Sequence, residues 1–154
     1  MNDPVGQQDA QGLDAAERIH FPEGILGFDG LHDFLLTASE EFRPFYGLVA
    51  ESPPGVGFIL APPSLFSRSP YELPVSAEDR RVLQLGPRDE PEIYVIVNPS
   101  RDGGEVTANL KGPIVVNVRC RLAKQVVVYN PSFSLRAPLL APQPDVPVHV
   151  SEKA

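Results

Sequence analysis

The side chains here with the chemistry to ligate a metal, carry a proton or attack an electrophile are few. The candidates are His20, His32 and His149, the single cysteine Cys120, and, among the serines, the loop residues Ser64, Ser67, Ser69, Ser132 and Ser134. Histidines hold zinc only at ligand spacing, and the chain has neither HExxH nor HxH, nor a carboxylate cluster at such intervals. A serine nucleophile of the GxSxG type has no counterpart either. Cys120 has no second cysteine for a disulfide or a CxxC pair. It alternates with Ile114, Val116 and Val118, so a buried, inert thiol is expected. The stretch "GVGF" lacks the GK[ST] ending of a phosphate loop and precedes a strand. These residues point away from catalysis: no catalytic, cofactor or metal site is assigned.

What remains is the exterior. The 20 acidic residues outnumber the 13 basic ones, for a formal charge of -7. Such a field repels a phosphate backbone and draws in a basic protein along a salt-sensitive path. Phe21, Phe28, Phe42, Phe45, Tyr46 and Phe58 would need interleaved Lys and Arg to stack bases. Glu23, Asp29, Asp33, Glu40, Glu41 and Glu51 accompany them instead, against Arg18 and Arg43, so the aromatics read as core filling. Glu23, Asp29, Glu40, Glu41 and Glu51 are the acids expected to face a partner. No window reaches the roughly 20 apolar residues that cross a bilayer, and no basic-then-apolar leader opens the chain. A cytoplasmic monomer that binds neither nucleic acid nor membrane is expected.

The elements presenting such a surface must be short. The chain carries 18 prolines, and each costs about 3 kcal/mol inside a helix. "PFYGLVAE" and "GVGFILA", separated by "SPPG", read as an antiparallel pair. "EIYVIVN" reads as a strand that "PSRDGG" turns into "EVTANL". "RLAK" reads as a turn into "QVVVYN", and "PSFSLRAPLL" as one more extended piece. "SAEDRRVLQL" offers Ser76 as N-cap with Asp79 three residues on, a capping-box pattern for one short helix. Residues 1–17 and 141–154 lack periodicity and are expected to be a flexible leader and a flexible proline-rich tail. Residues 18–140 are then a single all-β domain, mainly antiparallel and barrel-like, with at most one or two short helices.

One stretch carries a further question. In "VTANLKGPIVVN", Val106, Ala108 and Leu110 share a face, opposite Thr107, Asn109 and Lys111, until Gly112-Pro113 interrupts. Proline has no N–H and glycine nothing to pack, so the chain is expected to bend or bulge there and re-enter a sheet with its faces reassigned. Beyond the break, Ile114, Val116, Val118 and Cys120 should share one face. Two readings of Thr107, Asn109 and Asn117 stand. Their side chains satisfy backbone groups freed at the break, which a broken strand requires, or they form a polar ridge presented to a partner.

The order and spacing of "IHFPEGILGF", "PFYGLVAESPPGVGFILAPPSLF", "YELPVSAEDRRVLQL", "EIYVIVNPS", "VTANLKGPIVVN" and "KQVVVYNPSFSLR" resemble the FliW family of flagellar assembly factors, over nearly the whole folded part. "FPEGILGF" and "TANLKGPIVVN" are the specific pieces. The resemblance implies an antiparallel β-barrel-like domain that acts by binding. Its implied partners are CsrA, a basic RNA-binding translational regulator whose repression of flagellin messenger RNA it relieves, and flagellin itself. The two partners compete. The chain departs from the family pattern at Lys111-Gly112, where an apolar residue and alanine are common, and at Phe133, where tyrosine is usual. Two other functions would leave different marks. A flagellin-export chaperone indifferent to CsrA would have little use for acidity, and a small-molecule-binding barrel would carry a deep pocket with convergent polar groups.

Overall fold

The computed structural model describes residues 14–52, 55–68, 71–99 and 104–140. Several strands fall on β-branched and aromatic runs, such as Glu92–Asn98. Strand β1 (Asp14–His20) pairs along its whole length with β2 (Asp33–Ser39). The chain then runs antiparallel through β3 (Tyr46–Ala50), β4 (Gly57–Ala61) and β5 (Glu92–Asn98), each bonded to the one before. Strand β5 pairs with the long β6 (Thr107–Asn117), which folds back on β7 (Leu122–Gln125). One parallel bridge, His20 to Leu122, joins β7 to β1 and closes the ring. A short β8 (Ala137–Pro138) lies against Thr107 and Ala108. The result is a seven-stranded mixed barrel with one α-helix, the all-β architecture that the sequence implies.

Helix α1 (Ala77–Leu83) starts where Ser76 Oγ accepts the Asp79 N–H at 3.0 Å. The Asp79 carboxylate does not close the capping box; it faces Lys124 at 3.4 Å. Phe21, Phe34, Ile19, Leu48, Leu60 and Ile114 pack together in the barrel as its main buried cluster. Burying each such side chain stabilises the fold by roughly 1.5–3 kcal/mol. A second cluster gathers Val95, Val97, Ala108 and Leu110 near β8, and a third puts Leu83 of α1 against Val115 and Val126.

Several local expectations are corrected. Among the described residues the first strand is Asp14–His20, so residues 14–17 belong to the barrel and not to a leader; residues 1–13 and 141–154 lie outside the described residues. Strand β6 ends at Asn117, and the turn occupies 118–121. "RLAK" is therefore mostly strand, and Cys120 sits half-buried in a turn rather than beside Val116. Of "PSFSLRAPLL", only Ala137–Pro138 is strand. Beyond Gly112-Pro113 both faces of β6 are buried, because α1 covers Val115 while Ile114 and Val116 enter the barrel.

The bulge at Gly112-Pro113 is present, and it is one-sided. Against β5 the register jumps, with Tyr94 opposite Ile114 but Ile96 opposite Asn109. Against β7 it never slips: Asn117 to Leu122 and Ile114 to Gln125 are paired, and the Val126 and Val128 amides continue onto the Pro113 and Lys111 carbonyls at 2.9 and 2.8 Å. The alternate carbonyls, of Leu110 and Gly112, take side-chain donors. The Tyr71 hydroxyl donates to Leu110 at 2.6 Å, and the Gln125 amide to Gly112 at 3.0 Å. Faces are reassigned as expected: Ala108 and Leu110 pack in the second cluster, Ile114 and Val116 in the first.

Candidate partner-binding surface

The acids expected to face a partner are placed by three different loops. Glu23, between β1 and β2, pairs with Lys124 of β7. Burial disfavours the Lys124 charge, yet the hydrogen bond to Glu23 and the carboxylates of Glu23 and Asp79 hold its pKa above the ordinary lysine value. Glu51, just after β3, accepts from Arg18 Nε at 2.6 Å. Glu40 receives Arg43 at 3.1 Å in the β2–β3 turn. Asp29 and Glu41 are exposed and have no ion-pair partner among the described residues.

These acids do not converge. The Glu51 N–H bonds the Asp33 carbonyl at the start of β2, whereas Glu40 and Glu41 follow Ser39 at its end. Seven residues of strand separate the two groups by roughly 20 Å. Exposed pairs of this kind add about 0–1 kcal/mol to stability. Their net effect is a negative field spread around the barrel.

Thr107, Asn109 and Asn117 also part company. Thr107 shares an open polar cleft of about 580 Å3 with Asn98, Pro99, Glu105 and Arg136. Asn109 Oδ1 accepts the Lys111 N–H at 2.8 Å, so it does satisfy an amide at the bulge. Asn117 is a correction. It is 3% exposed, and its Nδ2 donates to the Leu83 carbonyl at 2.8 Å and the Gln84 carbonyl at 3.2 Å. It caps the C-terminus of α1, where Gln84 turns left-handed at φ 58, and it is not presented to any partner.

The residue that sequence reasoning missed at the bulge is Gln125. Its Nε2 holds the Gly112 carbonyl while its Oε1 accepts the Leu26 N–H at 3.0 Å. A Cβ on Gly112 would stand 2.7 Å from that Nε2 and 3.2 Å from Asn109 Nδ2, which is why glycine fits there. Gln125 thus ties the bulge to the turn around Leu26, whose side chain is 66% exposed. Beside it Phe28 packs edge-on against Phe58 at 5.3 Å. Val127 and Tyr129 are exposed too, and the uncharged run "QVVVYN" was the sequence signal for them. Among the described residues, no three His, Cys, Asp or Glu side chains gather to hold a metal ion, and no helix is long and apolar enough to cross a membrane.

The class so defined is a small mixed β-barrel whose core is made of its own side chains. A sequence model described as FliW protein matches residues 6–139, and the chain belongs to that family, the flagellar assembly factors. The flagellar assembly factor FliW of Geotalea uraniireducens (strain Rf4) is 32% identical over 126 residues, covering 82% of this chain and 76% of the relative. That of Clostridium beijerinckii is 32% identical over 122 residues, covering 79% and 86%. A crystal structure of the flagellar assembly factor FliW superposes with a TM-score of 0.72 at 28% identity, covering 91% of this chain and 92% of that one.

Proposed function

We propose that this flagellar assembly factor works by partner switching. It binds CsrA, relieving repression of flagellin messenger RNA, and binds flagellin in competition, so that accumulating flagellin withdraws it from CsrA. The observation that carries the reading is the family match over residues 6–139. The charge of -7 supports it physically, since an acidic exterior speeds encounter with a basic RNA-binding regulator. A specific interface of ordinary size needs about 800 Å2 per partner, which a barrel of this size can offer.

The test is size-exclusion chromatography of the purified chain with CsrA, with flagellin and with both, at low and high salt. Co-elution with each alone, and exclusion of one by the other, is expected. Failure to co-elute with either would refute the proposal; co-elution with flagellin only would leave an export chaperone. Within the surface, Glu40→Lys/Glu51→Lys should leave the melting temperature nearly unchanged, because exposed pairs contribute about 0–1 kcal/mol each. The same change should slow association with CsrA severalfold and with flagellin less. Equal slowing of both would show that charge does not distinguish the partners.

A further inference from the structure

Beyond Gln125 the outer flank of β7 is unfilled. The Val126 and Val128 amides bond inward to β6, which keeps residues 126–128 extended alongside it. Alternate residues of an extended chain direct their N–H and C=O to opposite flanks, so those of Val127 and Tyr129 point outward. Neither outward N–H has a partner among the described residues. The ring offers none: β1 pairs with β7 only at the His20–Leu122 bridge, and the Leu26 N–H goes to the Gln125 side chain. An open cleft of about 310 Å3 is lined by residues 126–130 together with Glu72, Leu73 and Pro74, and Pro74 has no N–H to give. Val127 is 45% and Tyr129 86% exposed, while Val126 and Val128 are buried. Sheet edges are ordinarily guarded by a charge, a proline or a bulge. Residues 125–130 carry no charged or proline residue, and no bulge interrupts their register against β6.

We infer that the Val127–Tyr129 edge takes up an extended segment of a protein partner as an added strand. Only an extended main chain matches a row of outward donors and acceptors at strand spacing, and such pairing supplies affinity while alternate side chains supply specificity. The segment places apolar side chains on Val127 and Tyr129 and a basic residue toward Glu72, in keeping with the acidic chain. For the identity of the partner, CsrA or flagellin, this rests on the function proposed above.

Hydrogen exchange at single amides tests it. In the isolated chain the Val127 and Tyr129 amides should exchange freely, and saturation with whichever of CsrA or flagellin co-elutes should slow both. Val127→Pro removes one outward N–H that no bond within the fold uses. It should leave the melting temperature unchanged and weaken that partner by about tenfold, the worth of one or two net hydrogen bonds. Tyr129→Ala, which spares the backbone, should weaken it comparably if proline disturbs the strand. Tight binding with both amides still exchanging freely overturns the inference. So does protection of both amides in the isolated chain, which would mean that a second copy or the chain's own ends hold the edge. If neither protein binds, it is the proposed function that fails, and a displayed random-peptide library decides the edge by itself. Enrichment on the native chain that is lost on Val127→Pro upholds the added strand, and no enrichment sinks it.

Discussion

Strand β6 has two flanks that solve the same backbone problem differently. Toward β7, main chain satisfies main chain from Asn117 down to Lys111, and the Gly112-Pro113 pair passes without a slip because only the Pro113 carbonyl is asked to bond. Toward β5 the register jumps between Tyr94 and Ile96, and side chains from elsewhere supply the donors, Tyr71 for Leu110 and Gln125 for Gly112. The difference teaches where substitutions should hurt. A side chain on the regular flank can change without costing a ladder bond. On the bulged flank the side chain is the bond, and deleting it leaves a backbone group unpaired.

The largest effect expected from this logic falls at the end of β6. Asn117→Ala strands two carbonyls, those of Leu83 and Gln84, in a buried setting. It should cost about 2–3 kcal/mol in chemical denaturation, with the loss concentrated in α1. Next comes Gln125→Ala, which frees the Gly112 carbonyl and the Leu26 N–H in a less buried place and should cost about 1–2 kcal/mol. An outcome in which a regular-flank surface change such as Val127→Ala costs as much would erase the distinction between the flanks.

A double-mutant cycle sharpens it. Gly112→Ala pushes a methyl group to within 2.7 Å of Gln125 Nε2, the far end of a flexible side chain, which can give way only by abandoning its two bonds. The single substitution should cost about 1 kcal/mol. Added to Gln125→Ala it should cost much less, since the nearer obstacle is gone and only the 3.2 Å approach of Asn109 Nδ2 remains. Full additivity would mean that Gly112 is needed for its backbone and not for the approach of Gln125.

How much of this was readable beforehand varies with distance along the chain. The bulge was legible because Gly-Pro announces it locally, and so was the use of Asn109, two residues from the amide it serves. The partners of Asn117 lie 33 and 34 residues away and those of Gln125 lie 13 and 99 away, where no local pattern reaches. The hairpin at 118–121 was misplaced for a different reason. Arg121 adopts φ 59, a left-handed conformation that glycine or asparagine usually marks, and the β-branched Val118 invited the strand to run on. The start of β1 was missed because "DAAE" has no apolar alternation; its strand form comes from pairing with the far end of β2. Glu23, Asp29, Glu40 and Glu41 are exposed and Glu51 is half-buried, but sequence cannot say that Glu40 and Glu51 stand at opposite ends of one strand.

Tyr71 carries the smallest and most selective prediction. Its hydroxyl is held by the Leu110 carbonyl at 2.6 Å, its ring stacks on Phe133 at 4.7 Å, and burial pushes its pKa up to about 12. Burial also raises Tyr94, helped by its bond to Glu92. Both groups stay protonated in the folded chain at a pH where the unfolded chain has released them. Their contribution is therefore complete below the ordinary tyrosine value of about 10 and is lost as pH rises from there toward 12. Tyr71→Phe should cost about 1 kcal/mol at neutral pH, from the unpaired Leu110 carbonyl. It should also flatten part of the stability loss between pH 10 and 12, because phenylalanine has no proton to release when the chain unfolds. If Tyr71→Phe lowered stability equally at pH 8 and pH 12, the hydroxyl would not be the donor at the bulge, and side-chain satisfaction of that flank would rest on Gln125 alone.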